Sequence, residues 1–238
     1  MKRRPLVRAA AFAKAEARMK PPSPCLPAER KPPLPTDTQT HVRPPSGTSL
    51  GPPRIIGILG SPRRNGNSAA LLQELFRCLD GRFQAETVFL ADEDIRPCDG
   101  CHACEQTGSC RIADDMPGLL ERLRSARAIV AATPSYMGSV TSRMQMLMER
   151  TWPLRKGQMA GRIGTYIVTG RRRIGVAVSV LDEYFTRLGL IKVPGVVGFG
   201  FEAGDIARDA EALGQTRQLA AALGRVLGCT DTEDRNSR

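Results

Sequence analysis

The sequence predicts an α/β domain built on a doubly wound, five-stranded parallel sheet, preceded by an extension that does not fold. Three observations carry this expectation. From Arg54 onward, short β-branched runs alternate with longer stretches of helical apolar spacing. The first run, residues 55–59, is continuously apolar and lies between prolines and Gly60, as a strand covered on both faces would. Residues 1–53 differ in composition, holding twelve of the 18 prolines and ten Lys/Arg against three Asp/Glu, a net +7 of the chain's +11. Such a segment buries too little apolar surface to offset its ordering entropy, so it is expected to be disordered. The 238 residues thus divide into a basic extension over 1–53, one globular domain over 54–228 and a polar tail over 229–238.

Within the domain each element has a local reason. Residues 68–79 place Leu71, Leu72, Leu75 and Leu79 at helical spacing before Gly81 ends the helix. Residues 86–90 read as the second strand, and the cysteine-bearing segment after it, with its glycines and polar residues, as a loop. Asp114-Asp115 followed by Met116-Pro117 opens a helix near 119–124. Strands are then expected at 128–133, 164–169 and 195–199, and helices at 142–152, 176–188 and 206–227. In such sheets ligands sit at the carboxyl ends of the strands, which directs attention to the loops after Leu59, Leu90, Thr133, Thr169 and Phe199. Motifs fall in the first four.

No run approaches the roughly 18 apolar residues of a membrane span, and no apolar stretch of about 7–15 residues follows the basic start as in a secretory signal. The expectation is a soluble, cytoplasmic protein without a membrane partner. The basic extension has Phe12 as its sole aromatic residue and no groove-reading motif, which argues against nucleic acid.

The first loop, Gly60-Ser61-Pro62-Arg63-Arg64-Asn65-Gly66-Asn67-Ser68, precedes a helix whose free N–H groups favour an anion, with hydroxyl, amide and guanidinium donors beside them. That suits a phosphate. A polar turn that caps the helix through Asn67 or Ser68 accounts for the same residues. Neither a G-x-G-x-x-G nor a G-x-x-x-x-G-K-[ST] spacing is present, so neither FAD nor a nucleoside triphosphate is expected. After the third strand, Pro134-Ser135-Tyr136-Met137-Gly138-Ser139 offers backbone amides beside apolar bulk, a setting for a planar ring or for a turn with Tyr136 on the core. After the fourth, Thr169-Gly170-Arg171-Arg172-Arg173-Ile174-Gly175 is an electropositive rim or three solvated arginines.

Of seven cysteines, Cys25, Cys78 and Cys229 are scattered, whereas Cys98-x2-Cys101-x2-Cys104-x5-Cys110 puts four thiols on one loop. Soft thiolates favour an iron–sulfur cluster or zinc, and intervals of three favour the cluster; free thiols are the third reading. Gly100 and Gly108 let the chain wrap. His102 reads as a solvent-exposed loop residue rather than one tuning a cluster, Met144, Leu147 and Met148 as core or subunit interface, and Trp152 as a packing residue rather than a flavin cover.

Taken in order, Gly60-Ser61-Pro62-Arg63 with Gly66-Asn67-Ser68, the four-cysteine loop, Asp114-Asp115-Met116 and Thr133-Pro134-Ser135-Tyr136-Met137-Gly138-Ser139 resemble the flavodoxin-fold NAD(P)H-dependent FMN reductases, in their iron–sulfur flavoprotein branch, over about residues 54–200. The resemblance implies the flavodoxin-like strand order 2-1-3-4-5. It implies an FMN phosphate on Ser61, Arg63, Asn67 and Ser68, and an isoalloxazine ring lined by Pro134, Tyr136, Met137 and Gly138, with Thr169, Gly170 and Arg171 on its other border. It also implies a [4Fe–4S] cluster on Cys98, Cys101, Cys104 and Cys110, and a homodimer or homotetramer. The three arginines of the fourth loop depart from the family, which commonly has a glycine-rich stretch followed by Gln or Glu there. The expected function is an FMN-dependent oxidoreductase passing electrons from NAD(P)H to a quinone, free flavin or other acceptor, its site made of binding residues without a protein acid or base. The alternative is an electron carrier fed by a ferredoxin-like partner.

Overall fold

The structure, a computed structural model, describes residues 52–79, 81–155 and 157–236. All but the last two residues of the extension expected to be disordered lie outside the described residues. The chain runs β1 (Arg54–Leu59), α1 (Asn67–Cys78), β2 (Gln84–Phe89), α2 (Ala103–Thr107), α3 (Met116–Ser125), β3 (Ala128–Pro134), α4 (Ser142–Arg150), β4 (Ile163–Gly170), α5 (Gly175–Leu188), β5 (Ile191–Lys192), β6 (Val196–Phe199) and α6 (Ala210–Asn236). All strand pairs are parallel, in the order β2-β1-β3-β4-β5, with β6 also on β4. This is the flavodoxin-like 2-1-3-4-5 arrangement.

Strand side chains alternate between two cores. Ile55 and Leu59 of β1 pack with α1 and α6, and Ile56 and Ile58 pack with α3, α4 and α5. In β3, Ala128, Val130 and Ala132 face the first core and Ile129 and Ala131 the second. Both faces of β1 and β3 are covered, so these strands carry no polar alternation, whereas half of the edge strand β2 is exposed. Met144 and Leu147 are fully buried and Met148 packs against the same core.

Several elements differ from expectation. The fifth strand is two pieces: β5 pairs with Ile163 and Gly164, and β6 with residues 167–170. Between them Pro194 has no N–H to give to a ladder. The helix expected over 142–152 ends at Arg150, and a 3-10 turn, Trp152–Leu154, follows because Pro153 cannot continue the helical bonding. The last helix starts at Ala210, after a separate 3-10 turn at Asp205–Arg208, because the Asp209 carboxylate accepts the Ala212 amide (2.9 Å) and breaks the run. It then continues to Asn236, through the segment read as a polar tail: Gly228 does not adopt the left-handed conformation that would stop it, and no proline follows. The cysteine segment, expected to be all loop, contains α2, one short turn of helix framed by left-handed His102 (φ 57°) and Gly108 (φ 70°). Five residues are too few to show helical periodicity.

Candidate functional site at the carboxyl edge

The loops that follow β1, β3 and β4 are tied to one another. Thr141, which caps α4 by accepting the Met144 amide, donates through Oγ1 to the Gly60 carbonyl at 2.8 Å and so joins the third loop to the first. The Ser135 amide donates to the Thr169 carbonyl at 2.7 Å, joining the third to the fourth. Ser68 and Thr169, both buried, share a hydroxyl hydrogen bond of 2.7 Å across 101 residues of chain.

In the first loop, buried Ser61 accepts the Arg63 amide (3.0 Å) and donates to the Arg63 carbonyl (3.1 Å), which shapes the turn around its Oγ. Arg63 is exposed. Arg64 pairs with Asp92 and lies over the Phe89 ring. The first turn of α1 has no side-chain cap and no acidic residue, so its N–H groups and Ser61 form a donor set that fits a phosphate. Asn67 is used differently from expectation. Its amide donates to the Glu202 carbonyl (3.0 Å) and accepts the Gly204 (3.2 Å) and Ile206 (3.4 Å) amides, pinning the loop after β6 against α1. A Cβ on Gly200 would sit 2.7 Å from Asn67 Nδ2, so only glycine lets that loop come so close.

In the third loop Tyr136 and Ser139 exchange backbone hydrogen bonds of 2.9 and 3.0 Å. Met137 (φ 51°) and Gly138 (φ 85°) fill the turn between them. Tyr136 and Met137 are exposed, Met137 completely. In the fourth loop Arg171, Arg172 and Arg173 are exposed, and the Arg171 guanidinium lies 5.5 Å from the centre of exposed Phe201. Among the described residues, the non-glycine residues in the left-handed region are His102, Met137 and Arg173, one in each of the loops after β2, β3 and β4. Such conformations cost of order 1–2 kcal/mol and collect at ligand sites.

Two clefts flank this edge. One of about 300 Å³ lies among Arg64, Asn65, Leu72 and Phe89, and one of about 290 Å³ among Leu90, Glu93, Ile95, Ser142 and Met146. Neither is lined by residues 134–139 or 169–175.

The four cysteines of the second loop form no disulfide; Cys98 and Cys101 are exposed and Cys104 and Cys110 half-buried. Burial pushes the Cys104 thiol up, and Cys110, Cys98 and Cys101 are near enough to push it further. Among the described residues no three His, Cys, Asp or Glu side chains converge in ligating geometry. The donor set is nonetheless all sulfur, on a loop whose Gly100 and Gly108 have positive φ, and it fits a thiolate-bound cluster. Exposed His102 lies edge-on to Trp152. Trp152 donates through Nε1 to Glu105 of α2 at 3.0 Å, docking the short helix on the body of the domain.

The sequence reading pointed to the loop after Phe199 but named no residue in it, so it missed Gly200 and Glu202, which meet Asn67, and it missed Arg150. The loop carries no motif. Arg150 was hidden because an arginine at a helix end reads as solvated.

Among the described residues no helix is long and apolar enough to cross a membrane. Residues 53–204 match the NADPH-dependent FMN reductase family. An iron–sulfur flavoprotein of Methanocaldococcus jannaschii is 31% identical over 187 residues, covering 73% of this chain and 97% of that one. One of Archaeoglobus fulgidus is 29% identical over 180 residues, covering 73% and 80%. Among solved structures, the fold is similar to an FMN-dependent NADH-azoreductase from Bacillus anthracis (TM-score 0.58, 14% identity, 72% of this chain and 99% of that one). It is also similar to an NAD(P)H:quinone oxidoreductase from Methanothermobacter marburgensis (TM-score 0.55, 15% identity, 74% and 96%).

Proposed function

The chain belongs to the NADPH-dependent FMN reductase family, in its iron–sulfur flavoprotein branch, and from that premise we propose a two-cofactor oxidoreductase. In this reading it binds one FMN along the carboxyl edge and one [4Fe–4S] cluster on Cys98, Cys101, Cys104 and Cys110, and passes electrons from NAD(P)H to a quinone, free flavin or other acceptor. When bound, FMN supplies both two-electron and one-electron chemistry and a cluster supplies one-electron transfer. The chain's own residues bind and orient. Ser61, Arg63 and the start of α1 hold the phosphate, with Ser68 and Asn67 fixing the walls around it. Pro134, Tyr136, Met137 and Gly138 border the ring on one side and Thr169, Gly170 and Arg171 on the other. No side chain is required to move a proton for hydride transfer, which agrees with a site of amides, hydroxyls and guanidinium groups. The exposed arginines place positive charge where an anionic nucleotide approaches.

The observation that most supports this reading is the left-handed residue in each of the three loops after β2, β3 and β4, because unfavourable backbone is gathered at the edge where ligands of such sheets bind. The working unit in this reading is a cytoplasmic homodimer or homotetramer. The test is anaerobic purification, analysis of flavin, iron and acid-labile sulfide, and steady-state NADH and NADPH oxidation. One FMN, four irons and nicotinamide turnover per chain are expected. Turnover with reduced ferredoxin and none with nicotinamide would favour the electron-carrier alternative, and FAD or zinc would refute the cofactor assignment.

A further inference from the structure

We propose that Arg150, at the end of α4, is the positioning residue of the cysteine loop: it closes the loop's neck by spanning Asp114 and the Arg96 carbonyl, and so fixes Cys110 where the four cysteines can share a cluster. This rests on the reading of those cysteines as cluster ligands. The Arg150 and Asp114 side chains are 1% and 0% exposed. An ion pair withdrawn from water costs several kcal/mol per charge in desolvation and is offset only by good geometry with every remaining donor and acceptor used.

Most of that geometry is present: both carboxylate oxygens and both terminal guanidinium nitrogens are used, and only Arg150 Nε is not. Asp114 Oδ1 accepts from Arg150 Nη2 (3.0 Å) and the Met116 amide (3.1 Å), and Oδ2 accepts from Arg150 Nη1 (2.6 Å) and the Arg96 amide (3.0 Å). Arg150 Nη1 also donates to the Arg96 carbonyl at 2.6 Å. Five hydrogen bonds therefore knot the segment entering the loop, the segment leaving it and α4. A second rung lies beyond the knot, where Asp94 and Asp115 are joined by the Asp94 amide on Asp115 Oδ2 (2.7 Å) and the Asp115 amide on the Asp94 carbonyl (3.0 Å). All four cysteines lie between Arg96 and Asp114.

Cys110 is the cysteine next to this knot. Its sulfur lies within hydrogen-bonding and charge-interaction reach of the Arg150 guanidinium. Arg150 Nε has no hydrogen-bond partner among the described residues. The other end of α4 is held by Thr141 on the Gly60 carbonyl of the first loop. One helix of nine residues, about 13 Å long at 1.5 Å per residue, thus starts on the phosphate loop and ends on the cysteine loop.

The test compares the full chain with Arg150→Lys and with Arg150→Met combined with Asp114→Asn, the double change removing both charges together so that no carboxylate is stranded. Each is reconstituted with iron and sulfide without oxygen. Iron and sulfide per flavin are measured, together with hydrogen exchange of the amides at 94–96 and 115–116. Arg150→Lys, which keeps the charge but has one nitrogen for three contacts, should hold iron between the parent and the double variant. The double variant should keep its flavin, hold a tenth of the iron or less, and exchange those amides at least tenfold faster. Parent-like iron and exchange in the double variant, an Arg150→Lys variant as depleted as the double, or loss of flavin together with iron in both variants would overturn the assignment. A parent protein that takes up no iron would defeat the cluster reading alone, since the exchange ratio still decides whether Arg150 holds the neck.

Discussion

Replacing Asn67 by alanine removes three hydrogen bonds at once and leaves the Gly204 and Ile206 amides without their partner, while the Glu202 carbonyl keeps the Asp205 amide (3.2 Å). A neutral hydrogen bond contributes about 0.5–1.5 kcal/mol net. The bonds at 3.0 and 3.2 Å count in full and the one at 3.4 Å for less, so Asn67→Ala should cost about 2–3 kcal/mol. At a typical dependence of about 2–3 kcal/mol per molar urea for a domain of this size, the unfolding midpoint should fall by about 1 M. Urea unfolding of flavin-free protein by far-ultraviolet circular dichroism measures this, and flavin fluorescence titration measures FMN affinity in parallel. Asn67→Asp keeps both acceptor bonds and loses the Glu202 donor, so it should cost about 1 kcal/mol. An Asn67→Ala protein within about 0.5 kcal/mol of the parent would refute the tether. Unchanged stability with lost FMN affinity would assign the amide to the phosphate instead.

Cys104→Ser should bring iron and sulfide to background and leave FMN per chain unchanged, because the loops proposed to bind flavin are separate from the cysteine loop; equal loss of flavin would refute that separation. A chain starting at Pro53 should keep its flavin and melt within about 2 °C of the full chain, because the Pro53 carbonyl, which accepts the Gln84 amide, is retained. Failure of that shorter chain to fold would make the extension structural. Burial opposes the charge on Glu86, but hydrogen bonds from Arg122 and Arg54 outweigh it and hold its carboxyl below the ordinary carboxylate range. A depressed folded pKa gives stability that is complete above the unfolded value and lost as pH falls through the folded one, so melting temperature should drop below about pH 4.5. Glu86→Gln should flatten that acid limb, and an unaltered limb would remove Glu86 from the account.

Much of this molecule was legible as sequence because burial on both faces of a sheet is a local property of composition. The run at 55–59, the leucine stripe from Leu71 to Leu79 and the β-branched stretches after them mark strands and helices without reference to any partner. The order of loop motifs along the chain likewise identified the family and the sheet edge on which to look. What the tertiary structure decided is which partner each polar side chain takes. Ser68 and Thr169 are 101 residues apart and meet only because β1 and β4 end on the same edge. Asn67 lies in the phosphate-loop motif, yet its amide is spent on a loop 135 to 139 residues away. Arg150 and Asp114 stand 36 residues apart, and no local pattern distinguishes them from a solvated arginine and a helix-opening aspartate. Hydrophobic periodicity records which face a residue presents; a hydrogen bond or buried ion pair depends on distance and angle between segments that the chain brings together only after the sheet has formed.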